Sequence, residues 1–153
     1  MTGVQTCALP IWRPMASAIP GFQPIDPSRC VLVNARDLDP AEKKLLETLP
    51  VIRTECPGVG NATEKLKAAG AKSVHMHLDL DVHNPKDLQA NRYVTSGGPS
   101  PEQLRDAACA MALAVPVVGI TVSAYDPSFD RQADVPPLIG QLLNDLIATI
   151  EGR

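Results

Sequence analysis

Between Ser73 and Pro85 the chain alternates, with Val74, Met76, Leu78 and Leu80 set against His75, His77, Asp79 and Asp81. A period of two is the pattern of a strand whose two faces differ. The strand is predicted over Ser73–Asp81, and its polar face carries two imidazoles and then two carboxylates. It gives out at Val82–Pro85, because Pro85 has no N–H to donate to a ladder.

The remaining elements follow from shorter signals. Val31–Val33 is a β-branched apolar run that predicts a buried strand. Asp39-Pro40-Ala41-Glu42 opens a helix: Asp39 caps it, Pro40 suits the first helical position, and Glu42 completes a capping box. Leu45, Leu46 and Leu49 supply its inner face, Pro50 ends it, and Val51–Thr54 reads as a second strand. Asn61-Ala62-Thr63-Glu64 predicts another capped helix start, with Gly70 as its stop. A long loop, Val82–Pro99, contains Gly97-Gly98. Ser100-Pro101-Glu102-Gln103 is a third capping box, for a helix running to about Ala114. Pro116–Val122 is apolar without alternation, as in a parallel strand buried on both faces. Ile139, Leu142, Leu143, Leu146 and Ile150 recur at helical spacing in the last segment. Strands and helices alternate in order. That predicts a three-layer α/β/α domain with a mainly parallel sheet and right-handed crossovers.

Composition narrows the function classes. The 153 residues suffice for one domain with a real core, and 44% hydrophobic content with a net charge of −3 is that of an ordinary soluble protein. Lys and Arg are scattered and aromatics make up 3% of residues, which argues against a nucleic-acid surface. No apolar run approaches the roughly 20 residues of a membrane span. Cys30, Cys56 and Cys109 lack C-x-x-C spacing and read as reduced thiols, so a cytoplasmic location is expected.

The candidate chemistry lies with Asp79 and Asp81. They sit at the carboxyl end of a strand, the edge where open α/β sheets bind ligands. Two carboxylates converging there repel unless a cation or a proton lies between them. A divalent metal is the leading reading. A structural reading has both acids capping nearby helix N-termini. A third is the aspartate pair of haloacid-dehalogenase-like phosphatases, but here D-x-D lies mid-chain and His83-Asn84 follow instead of Thr. His75 lies too far down the strand to share an ion with Asp81, so both histidines are expected to pack against the neighbouring layer.

Several segments together resemble the arginase/agmatinase (ureohydrolase) family. His77-Leu78-Asp79-Leu80-Asp81-Val82-His83-Asn84-Pro85 is similar to the family's S-x-D-x-D-x-x-D-P, and Gly97-Gly98 falls where its downstream G-G does. Arg36-Asp37-Leu38-Asp39-Pro40-Ala41-Glu42 resembles the R-D-x-D-P-x-E of true arginases. Gly119–Asp130 resembles the segment ending E-x-N-P-x-x-D. The resemblance runs from roughly Pro20 to the C-terminus. It implies a binuclear manganese hydrolase cutting a non-peptide C–N bond in a small guanidine or amidine substrate, in a homo-oligomeric parent protein. It also implies that Asp79 and Asp81 ligate Mn2+, a metal that suits carboxylate and imidazole donors. Asp39 and Glu42 match positions that contact the α-amino end of the substrate in arginases, besides forming the capping box.

The departures set the limits. The family's other metal ligands lie in G-G-x-H and D-A-H-x-D segments, and neither occurs here. The Glu that meets the guanidinium falls at Ala124, the aspartate before the proline is Asn84, and His83 stands where an apolar residue is usual. Met1–Ile11 resembles a translated sequencing-library adapter, so residues 1–19 are expected to be artefactual or disordered and 20–153 to be the C-terminal part of an arginase-like domain. No complete catalytic set is assigned. The expected function is an inactive fragment of a metallohydrolase, with a non-catalytic arginase-like module as the alternative and the phosphatase reading behind both.

Overall fold

A computed structural model describes residues 17–152. The adapter-like Met1–Ile11 and most of the expected 1–19 terminus lie outside them. Strand β1 (Val31–Val33) pairs in parallel with β2 (Ile52–Thr54), Val31 facing Ile52 and Val33 facing Thr54. Strand β3 (Val74–Asp79) pairs in parallel with β4 (Val117–Ser123), His77 facing Thr121 and Asp79 facing Ser123. The helices are α1 (Pro40–Thr48), α2 (Val59–Ala68), α3 (Pro101–Ala114) and α4 (Val135–Glu151). The parallel α/β alternation is therefore present. Among the described residues, however, the sheet consists of two strand pairs that share no ladder.

The core lies on the apolar side of β3. Met76 and Leu78 pack with Val59 of α2, Leu104, Ala107, Ala108 and Ala112 of α3, and Leu142 and Leu146 of α4. Each large side chain buried in this way contributes about 1.5–3 kcal/mol. A separate cluster of Leu80, Leu88, Ala90 and Val135 pins the loop after β3 to the start of α4. That cluster holds in place the strand end where Asp79 and Asp81 lie.

Several elements differ from their sequence reading. Helix α2 starts at Val59 behind the Cys56–Gly58 turn, not at Asn61. Thr63 is inside the helix, 1% exposed, with its hydroxyl donating to Val59 O at 2.7 Å. Gly70, at φ +84°, does mark its end. The β3 strand stops at Asp79, and Leu80–Val82 coil into a 3-10 turn that carries Asp81. Strand β1 is half-buried and α1 buries no residue, because few atoms cover that pair. Strand β4 is not covered on both faces: Thr121 and Val122 are exposed, and a register shift at Val74/His75 leaves Val118 71% exposed. His75 and His77 meet no packing layer either. They lie exposed on the sheet and bond across it, His75 Nε2 to Thr121 Oγ1 at 2.8 Å and His77 Nε2 to Ser123 Oγ at 2.7 Å.

Candidate metal and substrate edge

Within each pair the strands run in parallel, so their carboxyl ends share an edge. Arg36, just beyond β1, joins the two edges. Its guanidinium donates to Val82 O at 2.7 Å, His83 O at 3.3 Å and Ser96 O at 3.1 Å, and also to Thr95 O. Five N–H groups in a rigid plane suit such multiple capture of carbonyls. Gly98 makes room for it: a Cβ there would run into the Val82 carbonyl and the Arg36 guanidinium. Thr95 adds a hydroxyl bond to Asp37 Oδ2 at 3.0 Å.

Asp79 and Asp81 meet at this edge although only Asp79 belongs to the strand. Burial pushes the Asp79 carboxyl above its usual range, and the neighbouring Asp81 charge adds to the rise. The Ser123 hydroxyl and His77 pull weakly the other way. Asp81 is 7% exposed. Asp79 Oδ1 and Asp81 Oδ1 are both buried without a hydrogen-bond partner. Buried carboxylate oxygens ordinarily have partners, so a pair left bare side by side has the donor chemistry of a hard-cation site. Among the described residues no group of three or more His, Cys, Asp or Glu comes together to complete a shell.

The other oxygen of Asp81 is held. Asn91, 6% exposed, donates from Nδ2 to Asp81 Oδ2 at 3.2 Å and to Ala124 O at 2.7 Å. Its own Oδ1 accepts from Tyr93 N at 2.6 Å. Sequence reasoning passed over Asn91, since one amide in an irregular loop has no periodicity and its partners lie 10 and 33 residues away.

Asp39 and Glu42 meet each other at the carboxyl end of β1. Asp39 accepts from Ala41 N at 2.9 Å and Glu42 N at 2.8 Å, which caps α1. Burial raises the Glu42 carboxyl, opposed by the Asp39 backbone N–H, and Glu42 Oε2 is buried without a partner. The structure therefore brings Asp79 to Asp81 and Asp39 to Glu42, and links the two sets through Arg36. At the end of β4, Ala124 sits at φ +65°. Beyond it Asp126 and Asp130 serve the turn itself: Asp126 Oδ1 accepts from Ser128 N at 3.0 Å, and Asp130 accepts from Tyr125 OH at 3.0 Å and Asp134 N at 3.0 Å. His83, fully buried, donates from Nδ1 to Pro99 O at 3.0 Å, and its Nε2 has no partner.

No protein-family model matches the chain. In sequence it is 35% identical over 79 residues to the N(omega)-hydroxy-L-arginine amidinohydrolase of Streptomyces lavendulae, a match covering 52% of this chain and 28% of that enzyme. In structure it resembles the arginase of Bacillus caldovelox, with a TM-score of 0.76 and 23% identity over 85% of this chain and 46% of that one. The Helicobacter pylori arginase gives a TM-score of 0.74 at 18% identity over 94% of this chain and 48% of that one. The proclavaminate amidino hydrolase of Streptomyces clavuligerus gives 0.69 at 19%, over 82% and 44%. The chain thus spans less than half the length of each. Sequence likeness and fold point the same way: the chain has the fold of the arginases and, over about half its length, resembles an amidinohydrolase in sequence.

Proposed function

We propose that this chain carries the carboxylate part of a manganese site in a hydrolase that cleaves a non-peptide C–N bond of a small guanidine or amidine. One observation carries the reading: Asp79 Oδ1 and Asp81 Oδ1 are both buried without a hydrogen-bond partner, on carboxyls close enough for the Asp81 charge to raise Asp79. A manganese ion held there would lower the pKa of water toward neutral pH and act as a Lewis acid. Asp79 and Asp81 would hold it. Asn91 keeps the second oxygen of Asp81 occupied, and Arg36 fixes the loop on which Asp81 lies. Asp39 and Glu42 would meet the polar end of the substrate, Glu42 through its unpartnered Oε2.

Two side chains make an incomplete shell, so the chain by itself binds Mn2+ weakly and turns nothing over. A complete shell would need ligands from outside the described residues. The test is Mn2+ titration followed by electron paramagnetic resonance, on this chain and on Asp79→Ala and Asp81→Ala. Weak binding lost in both variants is expected. Stoichiometric micromolar binding would overturn the incomplete shell. Binding indifferent to both substitutions would overturn the site.

A further inference from the structure

We infer that Asn91 is the positioning residue of this edge, fixing which oxygen of Asp81 faces a cation and tying that carboxylate to the substrate-side turn at Ala124. The inference rests on the metal reading above but has its own test. A carboxylate on a short side chain rotates between two equivalent faces unless something distinguishes its oxygens. Asn91 does so: its Nδ2 takes Oδ2 of Asp81 at 3.2 Å, and Oδ1 alone is left bare beside Asp79. The second Nδ2 hydrogen goes to Ala124 O at 2.7 Å, and Asn91 Oδ1 accepts from Tyr93 N at 2.6 Å. The amide is therefore committed on both sides. A side chain of this kind, donating to one oxygen of a carboxylate whose other oxygen is free, is how ligands of hard cations are held in register.

The bond to Ala124 gives the arrangement its reach. Ala124 is a non-glycine residue in the left-handed region at φ +65°, and its carbonyl is the one Asn91 binds. Asp126 N donates back to Ala90 O at 2.8 Å, one residue before Asn91. The turn after β4 and the loop after β3 are thus bonded in two places.

The test uses this chain, the variants Asn91→Ala, Asp81→Ala and their combination, and Mn2+ alone as probe. Without metal, NMR of the Asn91 side-chain amide should show one Nδ2 proton shifted by Asp81→Ala and the other unaffected. With Mn2+, Asn91→Ala should weaken binding about ten-fold in the chain that keeps Asp81. A purely structural asparagine would lower the melting temperature equally in both backgrounds and leave Mn2+ affinity within two-fold. Either that result or an Asn91 amide blind to Asp81→Ala overturns the inference. If the unmodified chain takes up no Mn2+, the metal reading fails alone, and the amide shift still decides whether Asn91 holds Asp81. Asn91→Gln, which keeps the donor but displaces it by one methylene, should fall between the two extremes and shows that a folded chain is being read.

Discussion

The guanidinium of Arg36 occupies the space that a Cβ on Gly98 would need, and from there it bonds to the carbonyls that follow β3. The two residues are 62 positions apart in the chain, yet each is required by the other's place. Gly98→Ala should push the Val82 carbonyl and Arg36 apart together. Overpacking of this kind costs about 1–3 kcal/mol. Arg36→Met should cost a similar amount, because several carbonyls lose their donor at once. Chemical denaturation of both single variants and the double checks this. The double should cost clearly less than the sum, since each change destroys the same clasp. Strict additivity would show that the two act separately.

The Asp79–Asp81 pair predicts a pH dependence with a definite sign. Burial and the Asp81 charge raise the Asp79 carboxyl in the folded chain. The folded state therefore holds that proton more tightly than the unfolded state, and the stabilisation exists at low pH. It is lost as pH rises from the usual carboxylate range through the raised folded value. Asp79→Asn removes the penalty, so the metal-free variant should melt a few degrees higher than the parent at neutral pH and match it near pH 4. A lower melting temperature at neutral pH would mean that Asp79 contributes bonds that outweigh its repulsion.

His83 works in the opposite direction. Burial lowers its pKa, and its Nδ1–H is spent on Pro99 O while Nε2 faces no acceptor. Protonation would add a donor with nowhere to go. Its stabilisation is present above the ordinary imidazole range and lost as pH falls through that range toward the depressed folded value. Melting curves between pH 7 and 5 should show a drop that His83→Gln reduces, at some cost to the baseline. An unchanged slope in His83→Gln would place the drop elsewhere.

Much of this was legible where a local rule and the tertiary structure agree. Ser100 and Gln103 form the reciprocal capping box their spacing predicts, and the helix runs to Ala114. The alternation about Met76 and Leu78 does place those side chains in the core. It failed where a rule was applied to one side of an element only. Asn61 looked like a helix start because Asn suits a cap with Glu64 three residues on, but the helix already begins at Val59, behind the Cys56–Gly58 turn. His75 and His77 were expected under a covering layer, and the described residues provide none. Asn91 and the Arg36 carbonyl clasp were invisible for a different reason. Their partners are set by loop geometry, which leaves no period in the sequence.

The turn at Ala124 bears on substrate choice. A buried guanidinium calls for a bidentate carboxylate, and Ala124 has none to give. Asp126 and Asp130, the nearest acids in the segment, are occupied with Ser128, Tyr125 and the start of α4. If the proposed hydrolase reading holds, a site built on this edge should therefore handle arginine poorly. Ala124→Glu should raise kcat/KM for a guanidine substrate relative to a neutral amidine, with little effect on Mn2+ affinity. Efficient arginine hydrolysis that survives Asp126→Ala and Asp130→Ala would remove the basis for this expectation.

Strand β4 presents the last liability. It pairs with β3 on one edge, and among the described residues nothing pairs with the other. Its seven residues, Val117–Ser123, contain no charge and no proline. An open edge of that composition is a template for another chain, and natural sheets usually blunt it with Lys or Pro. Val118, in the strand itself, is 71% exposed and adds apolar surface to it. The isolated chain should therefore bind hydrophobic dyes and associate as concentration rises, as followed by light scattering. Val118→Lys adds a charge beside the edge without touching the core, and should suppress association while leaving the melting temperature within a degree or two. If Val118→Lys associates as readily as the parent, or if the parent is a monodisperse monomer without dye binding, the β4 edge is not the exposed surface its composition suggests.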